Sequence, residues 1–275
     1  MSCSAGTAAG RPAHLSARFA RVADPTIERF IANREQRGSI PPPSETRALS
    51  TADAYTIQDR LREALVARGA RVIGWKAGFT GKATQTAFGT TEPVLGFLLA
   101  DGVFGTGAEV PMSRFVQLAV EAEIAFVMAD DLAGPGITPP RALAAVAGAA
   151  PALELIDQRF SGKATASDVI ADGVYANAVV LGTPLTPVSH VDLALEGLVY
   201  ELNGAIAATN TAAEVLGSPA NSLAWVANQL GARGLKLGAG DIVMSGSVSI
   251  LLRPKAGDAV RATFTRLGSV SARFV

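Results

Sequence analysis

The sequence predicts an α+β protein built on an irregular mixed β-sheet, with a small helical region in front of it. Three observations carry that expectation. Short β-rich runs bounded by Gly, Pro or Asp recur from residue 71 onward. Only two helical patterns interrupt them, so a doubly wound alternation of strands and helices does not fit. The first 70 residues, in contrast, show helical spacing and helix caps.

Residues 25–37 place Ile27, Phe30 and Ile31 at helical spacing between charged residues. Pro41-Pro42-Pro43 stops any helix. Ser50 with Asp53 resembles a capping box, and the run to Arg68 puts Ala54, Ile57, Leu61, Leu65 and Val66 on one face before Gly69 ends it. Strands are expected at 71–79, 120–128, 152–157, 177–182 and 241–252, helices near 139–149 and 218–232, and a final hairpin turning at Gly257-Asp258 and Gly268. The organisation read from this is an extension over 1–24, a helical region over 25–70 and a mixed-β domain over 71–275. Residues 1–23 contain no acid and three arginines, a composition shared by transit peptides and by disordered starts; a disordered extension is the expectation.

Composition narrows the chemistry. The 275 residues are 49% hydrophobic and 17% charged, below the usual quarter or so, so the chain can bury a sizeable core. Twenty-four basic residues balance 24 acidic ones, which argues against nucleic acid or an anionic membrane surface as the main partner. One cysteine, Cys3, excludes a disulfide framework, and two histidines, His14 and His190, leave little for a histidine-rich zinc centre or a Ser-His-Asp triad. Neither a GxGxxG following a strand nor a Walker loop is present, and no apolar run reaches membrane-spanning length. The expected compartment is the cytoplasm.

Carboxylates, lysines and hydroxyls must then do the chemistry. In Leu118–Met128, Glu121 and Glu123 stand two apart in an apolar strand and project to one face. Unpaired, they would repel one another and carry a desolvation cost of roughly several kcal/mol. Glu154, in the run to Asp157, adds a third acid among apolar neighbours. An all-oxygen set without histidine or cysteine suits Mg²⁺ first and Mn²⁺ second; the competing reading is an edge strand whose glutamates face solvent and meet arginines. Lys76, inside Val72–Phe79, is the candidate counter-group, able to shuttle protons or hold a carboxylate, or else a surface lysine burying only its stem. Asp157 and Arg159 read either as an ion pair orienting Glu154 or as a purely structural one, and Asp172 as a further supporting acid or a turn residue.

Nine stretches in order resemble the fumarylacetoacetate hydrolase superfamily, in its 2-oxo-pent-4-enoate hydratase and 4-oxalocrotonate decarboxylase branch. They are Pro42–Thr46, Gly74–Thr80, Phe88–Gly96, Val120–Phe126, Pro151–Asp157, Val169–Asp172, Asn221–Trp225, Gly240–Ser247 and Leu267–Val270, spread over roughly residues 27 to 275. The resemblance implies that family's β-roll type of core, Mg²⁺ or Mn²⁺ on Glu121, Glu123 and Glu154, Lys76 as the active-site lysine, and Ser245, Gly246 and Ser247 at the substrate's carboxylate end. It implies a 2-oxo acid polarised by the metal as a Lewis acid, a homo-oligomer, and a place in the meta-cleavage degradation of aromatic compounds.

Hydration of a 2-hydroxypenta-2,4-dienoate-type substrate is the first expectation and decarboxylation of a 4-oxalocrotonate type the alternative. Hydrolysis of an acylpyruvate would require a His–Glu pair, for which the N-terminal half offers only His14. A non-catalytic partner subunit of a hydratase–decarboxylase complex is the remaining class. Retention of three acids and Lys76 argues against it, because buried charges without a role destabilise. The pattern departs in three places. Val94-Leu95 stand where many hydratases of the branch carry an acid, Gly173 stands where Asn is common after Asp172, and Gln117-Leu118-Ala119 replaces a basic residue.

Overall fold

The computed structural model describes residues 24–275, so residues 1–23 of the expected extension, with Cys3 and His14, lie outside the described residues, while Asp24 belongs to the first helix as its cap. Asp24 opens helix α1 (Pro25–Gln36), its Oδ1 accepting from Thr26 N at 3.0 Å, and α1 buries the expected Ile27, Phe30 and Ile31. Helix α2 (Thr51–Ala67) begins at Ser50, whose side chain accepts from Asp53 N, and stops ahead of Gly69, at φ +96°. Its buried face differs from the expected one. Val66 is exposed, and Gln58 takes a core position because its Nε2 donates to the carbonyls of Leu95 and Ile170. A polar side chain with both protons satisfied can replace an apolar one there.

The elements that follow are β1 (Val72–Gly78), α3 (Lys82–Phe88), β2 (Val94–Leu99), β3 (Val103–Gly105), β4 (Ala108–Val110), β5 (Leu118–Met128), α4 (Pro139–Leu143), β6 (Val146–Asp157), α5 (Ala166–Ala171) and β7 (Ala176–Leu181). After them come β8 (Gly197–Leu202), β9 (Ala205–Thr211), α6 (Pro219–Ala232), β10 (Ile242–Ser247), β11 (Ala259–Phe264) and β12 (Gly268–Phe274). The helix expected near 139–149 is a single turn and a half, α4, and Val146 onward is strand. Ala149 and Ala150 pair with Phe126 and Ala125 of β5, so tertiary pairing overrides the helical preference of an alanine-rich run. The strand expected to run to 252 ends at Ser247.

Two mixed sheets result. One runs β2-β1-β10-β5-β6-β7-β3, the other β4-β12-β11-β8-β9, with parallel pairs at β1/β10, β3/β7 and β4/β12. Strand β12 packs on β6 and β7, and β11 on β6, forming the main core between the sheets. The fold is the expected mixed α+β core. Gly74 makes the β1/β10 junction possible: at φ +156° a Cβ would stand 1.9 Å from the Ile242 carbonyl oxygen. Among the described residues, no helix is long and apolar enough to cross a membrane.

Candidate active site

The four central strands β1, β10, β5 and β6 bring the predicted charges together. Glu121 lies directly opposite Glu154 across the β5/β6 pair, and Glu123 lies one pleat along β5, opposite Ala152. Carboxylate oxygens of all three fall within 4.8 Å of one another. Glu123 and Glu154 are buried and Glu121 is half-buried, so the solvent-facing edge-strand reading fails. Lys76 reaches in from β1, is 2% exposed, and stands 2.7 Å from Glu154 Oε1. Its Nζ also donates to the Val174 carbonyl at 3.2 Å. The snorkelling alternative fails as well.

Strand β10 carries a bulge between Met244 and Ser247, opposite Glu123. Gly246, inside it, turns its N–H onto Glu123 Oε2 at 2.8 Å. It does so at φ +112°, where a Cβ would meet Thr80 Oγ1 at 2.3 Å. Only glycine fits. The expected Ser245-Gly246-Ser247 group is thereby divided: Gly246 holds a carboxylate, and Ser247 lines the cavity. Ser245 does neither; it is buried, with its carbonyl accepting from Ser222 Oγ at 2.6 Å and its own hydroxyl unpartnered.

The charges do not balance. Three acids face one ammonium, and Glu154 Oε2 is buried without a hydrogen-bond partner. Burial, opposed by Lys76 and reinforced by Glu154, pushes Glu121 up to about 7. Burial and then the charges of Glu154 and Glu121 push Glu123 well above the usual carboxylate range. For Lys76, burial acts downward, but Glu154, Glu121 and Glu123 together outweigh it and raise its pKa. An orphaned oxygen and mutually repelling acids are what a divalent cation would relieve, so the donor set fits Mg²⁺ or Mn²⁺.

Lys76, Glu121 and Glu123 line a cavity of about 350 Å³, a size suited to a small organic ligand, with Glu154 buried behind them. Phe79, stacked on Phe88 with ring centroids 4.4 Å apart, lines one wall; Ile156, Tyr175, Ile250 and Leu251 are further apolar lining. Thr80, Gln158, Asn210, Ser247, Ser249 and Glu214 supply polar groups, and Lys76 is the only cation among the described lining residues.

Asp157, Arg159 and Asp172 form a buried network that does not touch Glu154. Arg159 pairs with Asp172 at 2.5 Å and with Asp157 at 3.3 Å, and Asp157 Oδ1 accepts from the backbone of Val116 and Gln117 at the start of β5. Arg34 of α1, which sequence reasoning missed, completes it at 3.0 Å from Asp172. The network therefore reaches the site through the turn after Asp172. There Val174 and Tyr175 adopt φ +59° and +57°, and the Val174 carbonyl meets Lys76. Nothing in a Val-Tyr pair signals that conformation, which β-branched residues avoid. Exposed His190 takes no part.

Residues 72–275 match the fumarylacetoacetate (FAA) hydrolase C-terminal family. The 4-oxalocrotonate decarboxylase of Pseudomonas sp. (strain CF600) is 35% identical over 228 residues, covering 82% of this chain and 86% of the relative. The 2-hydroxypent-2,4-dienoate hydratase of Pseudomonas putida is 39% identical over 189 residues, covering 68% and 85%. In the solved structures, 4-oxalocrotonate decarboxylase from Pseudomonas putida G7, complexed with magnesium and adipate, superposes with a TM-score of 0.87 at 31% identity, over 90% of this chain and 95% of that one. The chain belongs to the fumarylacetoacetate hydrolase family. Within it, its relatives include both hydratases and decarboxylases of unsaturated 2-oxo acids.

Proposed function

We propose that this chain is a divalent-metal-dependent lyase that hydrates a short unsaturated 2-oxo acid of the 2-hydroxypenta-2,4-dienoate type, in the meta-cleavage degradation of aromatic compounds. The observation that carries this reading is the surplus of buried carboxylate, three acids against one lysine, at the inner end of a ligand-sized cavity. Glu121, Glu123 and Glu154 would hold Mg²⁺, or Mn²⁺, and the ion supplies Lewis-acid polarisation of a 2-oxo acid's oxygens.

The chain's own residues do the rest. A divalent ion on the three carboxylates would leave one negative charge, which the Lys76 ammonium 2.7 Å from Glu154 Oε1 balances, so Lys76 would start the cycle protonated. Nζ can then give and recover a proton as the dienol becomes the ketone and water's oxygen bonds to C4. The Val174 carbonyl keeps Nζ aimed, and Phe79, Phe88, Ile250 and Leu251 restrict bulk water. Gln158, Asn210 and Ser249, polar members of the lining, would orient the added water. Val94 and Leu95, at the position of the branch's usual acid, are buried in β2 and take no part in this.

Decarboxylation is the second reading, supported by the decarboxylase relatives. The lining of the cavity favours hydration. Apart from Lys76, the described lining residues offer no cation to pair with a second carboxylate of a dicarboxylic substrate, and Glu214 would repel one. The test is incubation of the Mg²⁺-loaded protein with 2-hydroxypenta-2,4-dienoate and, separately, 2-oxohex-3-enedioate. Loss of dienol absorbance without CO₂ supports hydration, CO₂ release supports decarboxylation, and inactivity toward both with no metal uptake leaves a non-catalytic subunit. A cytoplasmic location and a homo-oligomer, alone or with a sister hydratase or decarboxylase, belong to the same reading; light scattering checks the assembly.

A further inference from the structure

A second cleft lies apart from the catalytic cavity and shares none of its lining residues. It has a volume of about 530 Å³ and sits between the C-terminal ends of α1 and α2, the end of β2 and the segment before β5. Its lining is basic in a chain with no net charge: Arg34, Arg37, Arg68, Arg71, Arg114 and Arg159 face only Glu35 and Asp101.

Four of those guanidiniums are already engaged. Arg34 and Arg159 hold Asp172, Arg68 pairs with Glu28 at 2.8 Å, and Arg114 pairs with Asp101 at 3.1 Å while its Nε donates to Asn177 Oδ1 at 2.6 Å. Arg37 and Arg71 are different: neither guanidinium makes a hydrogen bond or ion pair with any described residue. Arg37 is half-buried, at the left-handed end of α1, with φ +58°. Burial, and after it the like charge of Arg114, lowers its pKa, while Asp157 and Asp101 act in the opposite direction. Residues 1–23 cannot neutralise the cleft by composition, since they contain no acid and add Arg11, Arg18 and Arg21.

We infer that this arginine cleft binds a small divalent oxyanion, a phosphate or the phosphoryl group of a phosphate ester, with half-buried Arg37 and exposed Arg71 as its unpaired cations. Guanidinium forks match the oxygen geometry of a phosphoryl group, and two unpaired forks match its two charges. A cleft of this volume leaves room beyond the phosphoryl group for the remainder of an ester.

Calorimetric titration of the full-length, Mg²⁺-loaded protein with inorganic phosphate and with ribose 5-phosphate, at constant ionic strength, tests the assignment. Saturable binding is expected, weakened at least tenfold in the Arg37→Gln/Arg71→Gln double variant and retained in Lys76→Ala. Since neither guanidinium pairs with a described residue, the double variant keeps every ion pair among the described residues, and an unchanged melting temperature verifies its fold. Tighter binding of the ester would identify a phosphorylated metabolite as the ligand; equal affinity would identify the phosphoryl group alone. The proposal is overturned if no saturable binding occurs, if the double variant binds equally well, or if Lys76→Ala abolishes binding. A double variant that changes assembly size in light scattering would assign the arginines to a contact between copies and also overturn it.

Discussion

Two buried charge clusters stand on either side of the turn at 172–175, and they are built on opposite principles. The network of Arg34, Arg159, Asp157 and Asp172 balances two cations against two anions, with further backbone donors on Asp157. The cluster of Glu121, Glu123, Glu154 and Lys76 has two acids too many and an oxygen with no partner. Desolvated charges are tolerated when each is met by an opposite one, and costly when they are not. The balanced network thus holds α1 and the start of β5 in place. The unbalanced one stores a demand for positive charge, which is the property a divalent-cation site needs.

The sharpest way to break this comparison is to remove Lys76. Lys76→Ala should lower turnover by about 10²–10⁴-fold, the contribution typical of a positioned proton carrier, without weakening metal affinity, because a competing cation is lost. Unchanged turnover, read from dienol absorbance, would remove Lys76 from the mechanism. Asp172→Asn attacks the other cluster. It leaves two buried arginines short of an anion and should cost about 3–5 kcal/mol of stability in urea denaturation, with Mg²⁺ or with EDTA alike. Glu123→Gln should have the opposite sign. Its amide oxygen can keep the bond from Gly246, one repulsive charge disappears, and the EDTA-treated protein should melt higher than the unsubstituted one at pH 8, while the increment from added Mg²⁺ shrinks. Destabilisation by Glu123→Gln in EDTA would mean that the acids are balanced by something other than a metal.

The sequence made one of these clusters easier to read than the other. Glutamates two apart in an apolar strand violate the alternation rule by themselves, and a third in a similar run points to the same place. Period and polarity alone were enough to propose a metal site at Glu121, Glu123 and Glu154. Lys76 broke the same rule. Arg34 and Val174 broke none, since an arginine in an amphipathic helix is ordinary and a backbone carbonyl has no sequence signature. Ser245 was misleading because the bulge in β10 reverses the expected alternation, so that neighbouring serines face different surroundings. The alanine-rich run at 146–150 was misread for a related reason: small residues accept either conformation, and the pairing with β5 decides.

A smaller effect separates the clusters by pH. Glu121 ionises at about 7 in the folded protein and near 4.5 when unfolded. The folded state therefore binds more protons over that interval, so this group's contribution to stability is greatest below pH 4.5 and is lost as pH rises through 7. Glu123 shifts in the same direction, so the two add. Melting temperatures in EDTA should accordingly show a downward component between pH 5 and 8. With saturating Mg²⁺ the acids must ionise to bind, which reverses the sign, and the Mg²⁺-induced increment should grow over the same range. Glu123→Gln should flatten both trends in part, whereas Asp172→Asn should shift both curves downward and leave their difference intact. Parallel curves with and without Mg²⁺ in the unsubstituted protein would show that the ion does not bind at these carboxylates.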